Sequence, residues 1–177
     1  MPGVTLRGVA KRAGVSHAAP FKHFTNFADL LTEAAAAGFE IMGERVDEAG
    51  AALPPGAGSR ARLVAASKAY VEMALKHPAL FMLMFRFDLL ELTNHHYNAA
   101  SMSAYRRFLR YVRAVQDEGW QIDADTAVAN ATIWSLVHGI ATLWAGGALP
   151  ASVDNRATLD EIIDRSLDMV LGVPPPG

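Results

Sequence analysis

Apolar residues recur at intervals of three and four along most of this chain, the spacing that places them on one face of a helix. No alternation of apolar and polar residues, the pattern typical of strands, competes with it. Proline and glycine interrupt the pattern, most clearly at Leu53-Pro54-Pro55-Gly56 and at His77-Pro78. The sequence therefore predicts an all-α protein, with helices over residues 27–49, 60–76, 81–92, 95–118, 125–146 and 158–171.

The ends of the last predicted helix carry their own signals. Thr158 and Glu161 have the spacing of a capping box, which satisfies backbone N–H groups at the start of a helix. Residues 173–177 contain three prolines and cannot continue the helix, so we expect them to form a frayed tail.

The N-terminal residues 5–24 predict two short helices around a turn. Thr5 is placed to cap a first helix, Gly14 permits the turn, and Ser16 is placed to cap a second helix that ends near Phe24. All ionised charge in this stretch is positive, and the first acidic residue is Asp29. A helix-turn-helix of this charge suits the phosphate backbone of DNA, although similar helix pairs also occur in bundles that contact no nucleic acid.

Position within a helix-turn-helix separates the residues that read bases from those that hold phosphates, because the second helix enters the major groove. His17, Ala18 and Ala19 are predicted to face base edges, and the two alanines offer methyl contacts to thymine. The groups expected nearer the phosphates are the Thr5 hydroxyl, Arg7, Lys22 and His23.

The run from Ala13 to Phe24, followed by Asn26, Asp29, Leu30 and Leu31, resembles the DNA-binding signature of the tetracycline-repressor (TetR) family of bacterial regulators. The resemblance implies a dimeric, all-helical repressor whose larger C-terminal domain binds a small molecule. It divides the chain into a head with its connector helix, residues 1–49, and a ligand-binding and dimerisation domain, residues 60–172. It also implies that the DNA contacts fall on Thr5, Arg7, His17, Ala18, Ala19, Phe21, Lys22 and His23.

The sequence departs from the family pattern at three places. Phe21 stands where a tyrosine is usual, so the hydroxyl that would donate to a phosphate is absent. Phe27 stands where a lysine is frequent. The family's usual first helix has no counterpart before Leu6, and an alternative function therefore stays open: a helical ligand-binding and dimerisation module that does not bind DNA.

The segment Trp134-Ser135-Leu136-Val137-His138-Gly139 resembles the Trp-His-Gly signature of one C-terminal domain type in this family. The resemblance implies a homodimer in which the last two helices of each chain form a four-helix bundle. An ordinary intramolecular core is the alternative for the same residues. The predicted interface comprises Leu136, Ile140, Leu143, Leu159, Ile162, Ile163, Leu167 and Val170.

Aromatic and methionine residues in the middle of the chain suggest an adaptable apolar cavity for a small, largely apolar effector. Tyr105 and His138 would supply the polar groups that orient it. The alternative is that these residues fill the core. The candidate ligand-binding residues are Phe81, Met84, Phe85, Tyr105, Trp134, His138 and Trp144.

Composition narrows the remaining possibilities. The chain has 177 residues and a net charge of −2, yet its first 26 residues carry basic side chains and no acidic one, so the positive charge is local. The absence of cysteine excludes disulfides and thiolate sites and fits the cytosol. No apolar stretch has the length of a membrane span.

His95 and His96 are adjacent on a helix and point in different directions, so we predict no metal site, no cofactor and no enzyme activity.

Overall fold

The computed structural model describes residues 5–16, 18–154 and 156–172, and within these ranges the chain is helical and has no strand. The all-α prediction is confirmed. The helices are α1 (Leu6–Arg12), α2 (Phe27–Ala51), α3 (Ser59–Lys76), α4 (Pro78–Met84), α5 (His95–Asp117), α6 (Thr126–Ala145), α7 (Ala148–Ser152) and α8 (Leu159–Leu171), with a 3₁₀ helix, Pro20–Lys22, between α1 and α2.

Side-chain caps fix where several of these helices begin. The Thr5 hydroxyl accepts a hydrogen bond from the Gly8 amide at 3.1 Å, and the Thr158–Glu161 capping box is formed at the start of α8. Asp125 accepts bonds from the first amides of α6. Gly14 has a φ of +69°, a conformation that glycine adopts without strain, so the predicted turn after α1 is present.

The main core lies around α3, which packs against α2, α5, α6 and α8. The fully buried apolar side chains that α3, α5, α6 and α8 contribute include Leu63, Val71, Val112, Ile133, Val137, Ile163 and Leu167. A smaller cluster joins α2 to α4 and α5 through Ala35, Ala36, Leu83, Leu90, Tyr97 and Ala100. The first half of α2, which follows the N-terminal segment, is therefore fastened to the C-terminal helices.

Small residues along α2 allow the neighbouring helices to approach closely. A Cβ atom at Gly43 would lie 2.9 Å from Cδ of Arg107 on α5, and one at Gly50 would collide with the Tyr111 ring. Arg107 in turn pairs with Asp47 of α2 at 2.5 Å. Arg107 is therefore partly buried between the two helices, although the pattern of α5 places its arginines on a solvated side.

The second helix predicted between Ser16 and Phe24 is wrong in its extent, because only Pro20–Lys22 forms a short 3₁₀ helix. Pro20 has no N–H group to donate to the Ser16 carbonyl, as an α-helix would require. The Ala19 amide donates to that carbonyl instead, at 3.0 Å, which makes a tighter turn. His17, which was predicted to lie in this helix, is outside the described residues.

The helix predicted over residues 81–92 is also wrong at both ends, since α4 begins at Pro78 and ends at Met84. Proline is tolerated at the first helical position, where its missing donor costs nothing. After Phe85 the chain makes successive turns, and the Glu91 amide donates to the Thr32 hydroxyl of α2 at 2.9 Å. Leu83 and Leu90 of this run pack on α2, and periodicity alone does not distinguish such a turned segment from a longer helix.

Candidate functional site

The described part of the N-terminal segment, residues 5–16 and 18–26, is termed the head and consists of α1 and the 3₁₀ helix, which pack against each other. Leu6, Ala10 and Pro20 are its buried residues. The head leads directly into α2, where the Asn26 side chain accepts a bond from the Asp29 amide at 2.9 Å. Asp29 in turn accepts a bond from the Thr25 amide at 2.8 Å, so the start of α2 is capped from both sides.

Most of the predicted DNA-contacting residues lie on the surface of the head. Thr5, Arg7, Ala18, Lys22 and His23 are exposed, and Ala19 is half-buried. Phe21 is 55% exposed, which is unusual for an aromatic residue without a partner on another molecule. The head thus presents small, basic and aromatic side chains to solvent, while the roles assigned to them remain predictions.

An ion-pair cluster fastens the beginning of α2 to α5. His96 lies between two carboxylates, with Nδ1 at 2.6 Å from Glu33 and Nε2 at 3.0 Å from Glu40. The hydrogen bonds that His96 donates to Glu33 and Glu40 raise the pKa of His96. The bonds that Glu33 accepts, first from His96 and then from Asn94, lower the pKa of Glu33. Closer to the head, the Asn26 amide donates to Glu91 at 2.7 Å.

A largely apolar cavity of about 430 Å³ lies between α2, α3, α5, α6 and the segment that follows α4. This volume falls within the range of small-molecule sites. The face of α2 contributes Phe39, Met42, Gly43 and Val46 to its wall. The other lining residues are Tyr70, Met84, Phe85, Phe87, Leu92, Tyr97, Asn98, Ser101, Ala104, Tyr105, Phe108, Asn130 and Trp134.

The residues predicted to bind a ligand divide into two groups. Met84, Phe85, Tyr105 and Trp134 line the cavity. Phe81, His138 and Trp144 do not, and Phe81 is buried behind the wall, with its ring centroid 5.1 Å from that of His138. Sequence reasoning missed the contribution of α2, because its apolar residues were assigned to a connector helix, and it missed Tyr70 and Asn130.

Tyr70 is the centre of a polar chain in the cavity wall. Its hydroxyl accepts a bond from Nε1 of Trp134 at 3.1 Å and lies 2.8 Å from Nδ1 of His138. Burial lowers the pKa of His138 and raises the pKa of the Tyr70 hydroxyl far above its ordinary value, so both groups are neutral near pH 7. The Tyr70 hydroxyl and Nδ1 of the neutral imidazole therefore share one hydrogen bond, whose direction is set by the tautomer of His138.

Asn130 on α6 is the other buried polar residue of the cavity wall. Its side chain is 2% exposed, and its Oδ1 atom is enclosed without a hydrogen-bond partner. Buried polar atoms are nearly always paired, so an unpaired one in a cavity wall is a potential contact for a bound molecule. Among the described residues, no group of acidic, histidine or cysteine side chains is arranged to hold a metal ion.

The predicted dimer-interface residues also fall into two groups. Ile140, Ile163 and Leu167 are buried in the interior of the single chain, because α6 and α8 direct them toward α3. Within the single chain these three residues therefore belong to the main core. The remaining residues are half-buried or exposed on α6 and α8: Leu136, Leu143, Leu159, Ile162 and Val170.

No helix in the described ranges combines the length and the apolar character needed to cross a bilayer.

Residues 63–166 match the family model for the tetracyclin repressor-like C-terminal domain. None of the curated proteins compared with the chain matches it.

Solved structures share the fold. A protein of unknown function from Rhodococcus sp. RHA1 is 32% identical, with a TM-score of 0.80 over 96% of this chain and 84% of that chain. The TetR-family transcriptional regulator PfmR from Thermus thermophilus is 16% identical, with a TM-score of 0.70 over 95% and 87% of the two chains. The fatty acid degradation regulator FadR from Bacillus halodurans is 16% identical, with a TM-score of 0.68 over 97% and 89%.

Proposed function

This chain belongs to the tetracycline-repressor (TetR) family of regulators, and from that premise we propose that it is a transcriptional repressor controlled by a small molecule. In this proposal a homodimer binds operator DNA in the cytosol, and an effector in the apolar cavity releases it. One observation carries the proposal: Phe39, Met42 and Val46 in the cavity wall belong to α2, the helix that continues directly from the head.

The coupling follows from that shared helix. A ligand that packs against the face of α2 favours the position of α2 in which the cavity fits it best. Since the head is attached to the first turn of α2, each position of α2 corresponds to a different position of the head. A ligand can change the DNA affinity only if it binds these arrangements with different affinities. Contacts between the ligand and the cavity face of α2 would change with the position of α2 and would supply that difference in affinity.

The charge of the head supports DNA as the partner. Arg7, Lys11, Arg12 and Lys22 are exposed, and no acidic side chain precedes Asp29. Arg7 and Lys22 are assigned to phosphates, and Ala18 and Ala19 to base edges in the major groove. Two heads in a homodimer would occupy half-sites about 34–36 Å apart, one turn of the duplex.

The half-buried and exposed apolar residues of α6 and α8 support the homodimer. Leu136 and Leu143 on α6, and Leu159, Ile162 and Val170 on α8, are apolar side chains that the single chain leaves partly open to solvent. A two-fold axis beside these helices would place each set against its copy. The dimer would then hold both heads at a fixed separation, which a two-half-site operator requires.

A mobility-shift assay with the DNA upstream of the chain's own gene tests the repressor function. We expect retardation at low salt and a steep loss of affinity as salt rises, because phosphate contacts release counterions. Arg7→Gln and Lys22→Gln should each weaken binding and reduce the salt slope by about 1. Arg106→Gln, which removes an exposed arginine of α5, is the matched control and should change neither.

Failure to retard any DNA, including sequences selected from a random pool at low salt, would exclude the repressor function. If the same preparation still bound small apolar molecules, the alternative of a ligand-binding and dimerisation module would stand. Equal effects of the Arg7 and Arg106 substitutions would show general polyanion binding instead of a DNA-reading head.

A further inference from the structure

We propose that the cavity selects an uncharged ligand with an apolar, ring-containing body and one amide or hydroxyl group, which hydrogen-bonds to the side chain of Asn130. The cavity excludes carboxylates and other fully charged molecules. This inference rests on the proposed function, since it names the chemical class of the effector for the same cavity. Two observations support it: the Asn130 side chain in the cavity wall has a buried oxygen without a partner, and none of the described residues that form the wall is charged.

The Asn130 side chain contains a buried hydrogen-bond acceptor that is not satisfied. It is 2% exposed, and its Oδ1 atom has no partner within the described part of the chain. Leaving a buried amide unpaired costs free energy that a bound donor would recover. A primary amide or a hydroxyl on the ligand both donates and accepts, so it satisfies the Asn130 amide in either orientation of its oxygen and nitrogen.

Apart from the Tyr105 hydroxyl, at the exposed side of the cavity, the other polar side chains of the wall are engaged within the protein. The Tyr70 hydroxyl bonds to Trp134 and His138, and the Tyr97 hydroxyl donates to the Met84 carbonyl at 3.2 Å. At the exposed side of the cavity, the Asn98 amide donates to the Leu92 carbonyl and the Ser101 hydroxyl to the Asn98 carbonyl. Among the described lining residues, Asn130 therefore carries the buried side-chain oxygen that is left without a partner.

The wall offers nothing to neutralise a charge. None of the described lining residues is acidic or basic. Arg107 of α5 lies beside Gly43 without lining the cavity, and its guanidinium is paired with Asp47 at 2.5 Å. A carboxylate placed in such a cavity loses its hydration and gains no counter-charge, which is strongly unfavourable. The apolar body, by contrast, meets rings of Phe39, Phe85, Phe108 and Trp134.

Three naphthalenes of nearly equal shape separate these requirements: naphthalene-2-carboxamide, 2-acetylnaphthalene and naphthalene-2-carboxylate. The amide donates and accepts, the ketone only accepts, and the carboxylate is charged. Isothermal titration calorimetry on the full chain at about pH 7.5 should show the amide binding about tenfold more tightly than the ketone. The carboxylate should bind more weakly still, by about a hundredfold or more relative to the amide.

Asn130→Leu keeps the volume of the side chain and removes its amide, so the preference for the carboxamide over the ketone should disappear while the ketone still binds. Thermal unfolding of this variant verifies that it is folded. Ser103→Ala, at an exposed residue of α5 that does not line the cavity, is the control and should keep the preference. If Asn130→Leu does not fold, the order of the three ligands on the natural chain decides.

Tighter binding of the carboxylate than of the amide, equal binding of amide and ketone, or binding of none of the three would overturn the inference. So would an amide preference that survives in Asn130→Leu. Mobility shifts on the same preparations separate this inference from the proposed function. A chain that retards DNA and ignores the amide contradicts only the ligand class, and a chain that selects the amide and never retards DNA contradicts only the repressor.

Discussion

The Tyr70 hydroxyl links α3 to α6 at a single point of the cavity wall. Trp134 and His138 are four residues apart on α6, so both side chains face the same way and meet the one hydroxyl. The imidazole of His138 also packs edge-on against the Phe85 ring, with the centroids 4.8 Å apart. The position of Trp134 and Phe85 in the wall therefore depends on a hydrogen-bonded chain that lies behind them.

Tyr70→Phe removes this link and leaves the Trp134 and His138 nitrogens without their shared partner. We expect the free energy of unfolding to fall by about 1 kcal/mol, because the buried Tyr70 loses two hydrogen bonds to the partly buried nitrogens of Trp134 and His138. Urea denaturation followed by far-UV circular dichroism measures this change. Tyr105→Phe is the control, since that side chain is 40% exposed, and it should change stability by less than about 0.5 kcal/mol. Equal effects of the two substitutions would contradict the role assigned to Tyr70.

At the scale of whole helices, the contact between α2 and α5 combines close packing with charge. Gly43 and Gly50 let α5 approach, and Asp47 and Arg107 pair beside them. Toward the head, His96 of α5 joins Glu33 and Glu40, which lie two turns apart on α2. The charges that face His96 from α2 are thus both negative, and Asn94 adds a neutral amide from the start of α5.

The titration of this cluster gives the α2–α5 contact a dependence on pH. His96 has a raised pKa in the folded chain. Its contribution to the free energy of unfolding is therefore complete below its ordinary pKa of 6.5 and is lost as pH rises through its pKa in the folded chain. Glu33 has a lowered pKa in the folded chain. Its contribution to the free energy of unfolding is therefore present above its ordinary pKa of 4.5 and is lost as pH falls through its pKa in the folded chain. The cluster is therefore strongest between these two ordinary values.

His96→Gln should lower the free energy of unfolding most at about pH 5.5, by up to about 1 kcal/mol, because exposed ion pairs contribute little. At alkaline pH, above the pKa of His96 in the folded chain, the difference from the natural chain should shrink toward zero. Urea denaturation at both pH values measures it, and an NMR titration follows the imidazole directly. His95→Gln, at the exposed neighbouring residue, should show no such pH-dependent difference. A loss that is the same at both pH values would contradict the charged cluster.

Sequence reasoning succeeds for helices whose periodicity, caps and breakers agree. The bounds of α3, α5, α6 and α8 follow from such agreement, as at Asp125 and Thr158. It fails at two prolines. Pro20 lies inside the helix predicted from Ser16 to Phe24, where only a short 3₁₀ helix forms, and Pro78 begins a helix that it was expected only to precede. The short helix α7 has too few residues for a periodic signal.

At the scale of the molecule, a cavity depends on what three-dimensional packing leaves unfilled, which no pattern of apolar residues contains. Periodicity marks Phe39 and Met42 as facing the interior of the chain, but it does not show that space remains beside them. Phe81 and Trp134 look equivalent in the sequence, yet one fills the core and the other lines the cavity. Asn130 gives no sequence signal, because its meaning comes from its burial without a partner.

The quaternary structure is the last feature on which the proposed function depends, and Leu143 provides its test. This side chain is 51% exposed on α6, and one turn earlier a Cβ atom at Gly139 would meet nothing within 4 Å. A second copy of the chain would fill that space. Ile122, which is 68% exposed before α6, is an apolar residue of comparable size outside the proposed interface.

We expect the natural chain to sediment as a dimer and Leu143→Arg to sediment as a monomer, because a two-fold axis would bring the two guanidinium groups together in an apolar contact without a counter-charge. Ile122→Arg should remain dimeric. Analytical ultracentrifugation over a range of concentrations measures both. Since the operator requires two heads at one separation, Leu143→Arg should also weaken DNA retardation while its cavity still binds ligand. A dimer that tolerates the arginine would place the interface on another face and remove the proposed link between α6, α8 and DNA binding.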